Sequence, residues 1–205
     1  MRLGFALAAG LAALLPVSAR AYDPPLEPGE EIEAKLETDL NGDGFDDVAY
    51  IVRTDDTRNL TVQLSVKGEV SVDFDPPETL SLEPGALGPG TLTFERGALK
   101  FEDLTGGTTA IAATRRYRYD RDAGRMGLIG LDATLYSRTF AHDGFELSWN
   151  LLTGDLVTRE LHLNRGSGDA AYDPIVEHKS KRRSGKVWLG ESPNPEELIE
   201  ALSSA

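Results

Sequence analysis

Alternation of apolar and polar residues is the sequence feature that most limits how this chain can fold. In residues 31–38, EIEAKLET, the apolar side chains share one face of an extended strand and the charged ones share the other. Residues 60–67, LTVQLSVK, repeat this pattern. Residues 48–52, VAYIV, are apolar throughout, which is typical of a strand covered on both faces. A period of two over such short stretches predicts half-buried β-strands.

Glycine and proline separate further strand candidates at short spacing. These candidates are residues 91–96, 98–104, 109–119, 126–138, 145–151 and 155–163. We find no long segment with a helical period among them, so the sequence predicts an all-β fold, a largely antiparallel sheet or sandwich-like single domain. Residues 164–186 are polar and turn-rich and are predicted to form a surface loop, which includes the basic run HKSKRR at 178–183.

A short helix is predicted at the C-terminus, within residues 191–205. Asn194 is suited to the N-cap, Pro195 to the first helical position, and Glu197 completes a capping box. The helix carries an apolar stripe that can dock on the sheet, formed by Leu198, Ile199 and Leu202.

The N-terminus has the pattern of a secretory signal peptide, residues 1–21. Arg2 precedes the apolar run 3–17, and Ala19-Arg20-Ala21 supplies small residues where a signal peptidase reads them. The run is shorter than the roughly 20 residues that span a bilayer. We therefore expect cleavage before Tyr22 and an exported protein, periplasmic or secreted, with no membrane span after cleavage. The β-rich domain would then occupy residues 22–190.

Composition excludes several functional classes. The chain has 34 acidic and 21 basic residues, a net charge of −13, which argues against nucleic acids and anionic membranes as partners. The absence of cysteine excludes thiol catalysis, thiolate metal sites and disulfides, and it favours a bacterial exported protein. The three histidines are too scattered for a local zinc signature. We expect a monomer whose partner is a protein or a carbohydrate.

The chemistry of the sequence is concentrated in residues 39–50, DLNGDGFDDVAY. Calcium takes six to eight oxygen ligands at about 2.3–2.6 Å, and a short loop supplies them from alternate positions with a glycine at the sharp turn. Gly44 stands at position six of this loop, and Asp46, at position eight, is expected to point away from the ion. The predicted calcium ligands of loop 39–47 are the side chains of Asp39, Asn41, Asp43 and Asp47 and the backbone carbonyl of Phe45.

The loop has two alternative interpretations. An EF-hand needs a glutamate at position twelve and flanking helices, whereas that position is Tyr50 and strands flank the loop. A polar hairpin turn is the second alternative, because Asn-Gly and Asp-Gly are strong turn signals. A turn needs only one such pair, and crowded carboxylates repel one another without a cation. The spacing therefore favours calcium, and it favours calcium over magnesium, which keeps its waters.

The stretch DLNGDGFDDVAYIV resembles the calcium loop of FG-GAP and VCBS-type repeats, D-x-[DN]-x-[DN]-G-x-x-D followed by an apolar strand. In α-integrin propellers such a loop joins two strands of a blade. The resemblance implies the same five calcium ligands. The later strand and turn segments, which end in Asn150–Gly154, NLLTG, resemble in their order a group of small exported bacterial proteins. In those proteins one acidic loop precedes an antiparallel β domain.

These observations predict an exported calcium-binding β-domain protein, a binding or cell-envelope accessory module and not an enzyme. One alternative is an exported hydrolase acting on polysaccharide or peptidoglycan through paired carboxylates from distant strands. The other is an inhibitor or adaptor that holds a protein partner with its basic run.

Two aromatic segments are interpreted as structural. In RRYRYDR, residues 115–121, Arg115, Tyr117 and Tyr119 share one face of a strand, and we expect the tyrosines to pack and the arginines to pair with acids. Trp149 shares its face with core residues, and Trp188 is the freer of the two tryptophans.

Overall fold

Antiparallel sheets form the fold in the computed structural model, which describes residues 22–68, 72–166, 172–173 and 176–204. The described structure is 54% strand and 7% helical, which confirms the predicted all-β class. The predicted signal peptide, residues 1–21, lies outside the described residues. In the described part of the chain, no helix combines the length and the apolar character needed to cross a membrane.

The first half of the chain forms a four-stranded sheet and a small two-stranded one. The six strands are β1 (Glu31–Thr38), β2 (Asp47–Arg53), β3 (Arg58–Gln63), β4 (Ser65–Lys67), β5 (Val72–Phe74) and β6 (Glu78–Ser81). The larger sheet has the order β1-β2-β3-β6, and β4 pairs with β5. The strand predicted over 60–67 is therefore divided at Leu64, whose carbonyl accepts a hydrogen bond from the Asp75 N–H at 2.9 Å instead of continuing β3.

The second half forms a seven-stranded sheet in which every strand pairs with its neighbours in sequence. Its strands are β7 (Thr91–Glu95), β8 (Ala98–Gly106), β9 (Thr109–Asp120), β10 (Arg125–Ser137), β11 (Gly144–Asn150), β12 (Asp155–Leu161) and β13 (Val176–Lys181). The first six match the predicted candidates to within two residues at each end. Strand β13 corrects the prediction of a continuous loop over 164–186. All its side chains are exposed, so this edge strand carries no apolar alternation.

The Asn150–Gly154 segment is the turn between β11 and β12. The Asn150 side chain accepts hydrogen bonds from the N–H groups of Leu152 at 3.0 Å and Thr153 at 3.2 Å. Gly154 has φ of 74°, a left-handed conformation that favours glycine, and its N–H donates to the Asn150 carbonyl at 2.8 Å. The turn therefore explains why the segment has asparagine at its start and glycine at its end.

Strand β10 keeps its apolar residues on one face by means of a bulge. Met126 and Leu128 are buried, and so are Leu131 and Ala133, although an uninterrupted strand would point these two pairs to opposite faces. The register with β9 shifts between Leu128 and Gly130. The extra residue reverses the alternation and returns the strand to the core.

Two apolar clusters cover one face of the seven-stranded sheet. The first lies against the four-stranded sheet and includes Leu60 and Val62 from that sheet and Phe101 and Tyr117 from the other. The second lies beneath the helix α1 (Pro195–Ser203) and includes its buried residues Leu198 and Ile199. The sheets thus form a sandwich over part of their length, and α1 completes the cover.

Helix α1 begins as predicted. The Asn194 side chain caps it, and Pro195 is its first residue. The cap accepts its hydrogen bond from the Glu196 N–H at 2.8 Å and not from Glu197, the residue predicted to complete a capping box.

Replacing Gly90 by alanine is expected to destabilise the sandwich by about 1–3 kcal/mol, the usual cost of overpacking a core. A Cβ at Gly90, just before β7, would lie 2.8 Å from both the Ile51 Cδ1 and the Phe101 Cε2 atoms. Urea unfolding measures the change. Gly88→Ala is the matched control, because a Cβ there meets no atom within 4 Å. Equal midpoints for the two variants would contradict the prediction.

Candidate metal centre

The candidate metal loop connects β1 to β2 and folds around the carboxylate of Asp39. Gly42 and Gly44 have φ of 81° and 91°, left-handed values that favour glycine and let the chain turn twice. Asp39 Oδ1 accepts hydrogen bonds from the N–H groups of Gly42 at 2.6 Å and Asp43 at 3.2 Å, and Oδ2 accepts one from Gly44 at 2.9 Å. Asp39, the first residue of the motif, therefore holds the loop in its conformation through hydrogen bonds to the loop backbone.

Asn41 and Asp43 lie side by side in the same loop. The Asn41 amide donates to Asp43 Oδ2 at 3.2 Å, and the Asp43 N–H donates to Asn41 Oδ1 at 2.9 Å. The Phe45 N–H donates to Asp43 Oδ1 at 2.9 Å. Together with the bond from the Asp43 N–H to Asp39, these contacts bring three of the four predicted side-chain ligands together.

The electrostatics of the loop favour an ionised Asp39. Partial burial raises the pKa of Asp39, but the N–H groups of Gly44, Gly42, Asp43 and Asn41 outweigh that effect and leave the pKa below its ordinary value. The loop thus holds a negative charge at neutral pH.

Asp47, the fourth predicted side-chain ligand, is turned into the protein. Its side chain lies at the start of β2 and the residue is 1% exposed. Oδ2 accepts hydrogen bonds from the N–H groups of Leu40 at 2.8 Å and Asn41 at 3.2 Å, and Oδ1 accepts from the N–H at 2.7 Å and the hydroxyl at 3.1 Å of Ser65. Burial raises the pKa of Asp47, and these hydrogen bonds oppose the rise. Its neighbours are donors, which suits a carboxylate.

Acceptor capacity tests which of these side chains fit a calcium ion. A carboxylate offers roughly four lone-pair positions, and an amide oxygen two. Asp47 has four donors and no free position. Asp39 accepts three hydrogen bonds and has the Asn41 N–H as a fourth donor beside it. Asp43 accepts two and the Asn41 oxygen one, so Asp43 and Asn41 keep free positions. Among the described residues, no three histidine, aspartate or glutamate side chains gather as a metal-binding group. Of the predicted side-chain ligands, Asn41 and Asp43 therefore keep the most unused acceptor capacity, and both lie beside Asp39.

A second buried polar group joins the two sheets. Arg58 of β3 makes paired hydrogen bonds to Glu33 of β1, both at 2.7 Å, and to Asp103 of β8, both at 2.9 Å. Glu33 also accepts the Gly90 N–H at 2.6 Å. Burial raises the pKa of Glu33, but Arg58 and that N–H outweigh it and lower the pKa below its ordinary value. Burial lowers the pKa of Arg58, but its hydrogen bonds to the carboxylates of Glu33 and Asp103 outweigh that effect and raise the pKa above its ordinary value.

The strand over 115–121 departs from expectation at one residue. Tyr117 packs in the core as predicted and shares a hydrogen bond with the Ser192 hydroxyl at 2.9 Å. Arg116, on the opposite face, pairs with Asp132 at 2.6 Å. Arg115 faces the interior with Tyr117, and the described residues supply it with no acidic partner. The alternation of the strand predicted that the Arg115 side chain points inward, but our prediction that Arg115 pairs with an acid was wrong.

The two tryptophans and part of the basic run contact other residues of this protein. Trp149 is buried, as predicted, and its indole N–H donates to the Arg182 carbonyl at 2.9 Å. Trp188 is half-buried, with the Arg125 guanidinium 4.9 Å from its ring centroid. In β13, Lys181 pairs with Asp155 at 2.6 Å, so part of the basic run neutralises the protein's own acids.

No family model, curated protein or solved structure matches this chain.

Proposed function

We propose that this protein is an exported calcium-binding β-domain, a binding or cell-envelope accessory module in which calcium has a structural role. The observation that carries the proposal is the meeting of Asp39, Asn41 and Asp43 on a loop turned by two left-handed glycines, with free acceptor positions on Asn41 and Asp43. The Phe45 carbonyl and water would complete the six to eight oxygens that calcium prefers. Calcium would neutralise the loop's carboxylates and hold the turn between β1 and β2.

Asp47 has a different role in this proposal from the one its spacing predicted. Its carboxylate ties the first residues of the loop to Ser65, so it would position the loop from behind and leave coordination to the exposed side. A structural ion is useful to this chain, because it has no cysteine and hence no disulfide.

The Glu33 carboxylate beside Arg58 lacks the property that the hydrolase alternative needs of a general acid. Glu33 and Asp103 are the acids that the fold carries into its interior beside Arg58, and both are held there by paired hydrogen bonds. A general acid needs a raised pKa, whereas the pKa of Glu33 is lowered. The partner would be a protein or a carbohydrate outside the cytoplasm, met by a monomer of residues 22–205.

Thermal unfolding of residues 22–205 in excess chelator and in millimolar Ca²⁺ tests the proposal. Calcium at about 100 times its dissociation constant stabilises a native state by about 2.7 kcal/mol. For a chain of this size that corresponds to a rise in Tm of roughly 5–10 °C. Asp43→Ala should abolish the rise, because it removes both carboxylate oxygens from a position where the motif requires Asp or Asn.

Asp46→Ala is the matched control. It makes the same substitution one loop position beyond Phe45, at an exposed side chain, and should keep the calcium response. Equilibrium dialysis should find one calcium per chain in the control and none in Asp43→Ala. The same Tm with and without calcium, or equal responses in both variants, would overturn the calcium site.

A further inference from the structure

Arg115 of β9 carries a buried charge that the protein does not pair. The residue is 6% exposed. Its Nε lies fully buried without a hydrogen-bond partner, and no ion pair joins Arg115 to any residue of the described ranges. Its guanidinium carbon lies 5.8 Å from the centroid of the Phe101 ring. Arg58, the other buried arginine in the described part of the chain, has four hydrogen bonds to two carboxylates. Burial of an unpaired charge costs free energy, so Arg115 is a candidate residue for binding an anionic ligand.

Arg115 lines a cavity of about 80 Å³ at the seam between the four-stranded sheet and helix α1. A water molecule needs roughly 10–15 Å³ of such space, so the cavity can hold a small organic molecule. Its mouth lies among exposed residues, which include Ser81 and Asn194. Its walls are partly apolar, and they are formed by Leu80, Leu82, Ile111, Ala113 and Pro195.

The charges around the cavity favour a single negative charge in its occupant. The N-terminus of α1, a nine-residue helix, borders the cavity at Asn194 and Pro195 and adds partial positive charge. The acids that line the cavity would repel a dianion. Asp103 is already engaged by Arg58, and Glu83 and Glu196 are exposed, so their effect on a monoanion is weaker.

We propose that this cavity binds a small aliphatic monocarboxylate, with the Arg115 guanidinium holding the carboxylate and the apolar wall holding the short carbon chain. The planar fork of an arginine matches the two oxygens of a carboxylate in paired hydrogen bonds. Cavity size sets the limit at a few carbons. The site is separate from the calcium loop and does not depend on it.

Calorimetric titration of residues 22–205 with sodium propionate, against sodium chloride at equal ionic strength, tests this site. We expect saturable binding of one propionate per chain. Arg115→Met should weaken it by about 10- to 100-fold, the usual value of charge-assisted hydrogen bonds. Arg115→Lys keeps the charge but loses the fork, so it should also weaken binding. Arg116→Met is the matched control, because it makes the same change one residue away on the opposite face, and it should bind propionate as the wild type does.

Stability without ligand separates this proposal from a purely structural arginine. Because Arg115 has no protein partner, Arg115→Met should fold with a Tm equal to or above that of the wild type. A clear loss of stability in that variant would contradict the proposal. So would the absence of saturable propionate binding, equal binding by Arg115→Met, or tighter binding of inorganic phosphate. A crystal grown with propionate that shows only water at Arg115 would overturn it as well.

Discussion

Arg58→Met is expected to destabilise the protein by about 3–5 kcal/mol, because it leaves the carboxylates of Glu33 and Asp103 buried without their cation. Both side chains are almost inaccessible, at 2% and 5% exposure. They belong to different sheets, so the loss also removes a polar link across the sandwich. Urea unfolding monitored by tryptophan fluorescence gives the change in free energy of unfolding.

Arg53→Met is the matched control for Arg58→Met. Arg53 pairs with Glu31 at 2.5 Å, but both side chains are more than half exposed, and exposed pairs contribute about 0–1 kcal/mol. Adding Glu33→Gln and Asp103→Asn to Arg58→Met removes the stranded charges and should recover at least half of the lost stability. If Arg58→Met cost no more than Arg53→Met, the buried group would not hold the sheets together.

Asp47→Ala is expected to destabilise the protein by about 3–6 kcal/mol even in excess chelator. The substitution leaves the N–H groups of Leu40, Asn41 and Ser65 without an acceptor, and each buried unpaired donor costs about 1–3 kcal/mol. Urea unfolding in chelator excludes any contribution from calcium. Asp46→Ala, at the exposed neighbour, should change stability by less than about 0.5 kcal/mol.

The same comparison decides which role Asp47 has in the loop. A variant that is nearly as stable as the wild type in chelator, but no longer responds to calcium, would identify Asp47 as a metal ligand. Lost stability in chelator would identify it as the residue that positions the loop.

Local patterns predicted much of this fold. Strands β7 to β12 were predicted because glycine or a polar turn separates them, as at Asn150 and Gly154, and because strands such as β9 and β11 bury alternate residues. Strand β13 was missed because an exposed edge strand has no apolar side to its alternation. The bulge in β10 was also missed, because a change of face within a strand is decided by pairing with β9 and not by the strand itself.

The candidate sites were predicted less evenly. Spacing alone placed Asp39, Asn41 and Asp43 in one loop, and the structure brings them together. Spacing did not reveal that Asp47 is enclosed by donors from Leu40 and Ser65, because Ser65 lies 18 residues away. The pairing of Arg58 and the isolation of Arg115 depend on strands from both sheets, so no local pattern distinguishes these two arginines.

The pairing order of the seven-stranded sheet has a consequence for how the chain folds. Each of its strands is adjacent in space to its predecessor in sequence, so the sheet from β7 to β12 can grow by successive hairpins that each close only a short loop. The entropy lost in closing a loop rises with the logarithm of its length. The contact of Arg58 with Asp103, which joins the two sheets, spans 45 residues. Docking of the two sheets therefore carries a larger loop-closure entropy than the short hairpins, and we expect it to be the slower step in folding.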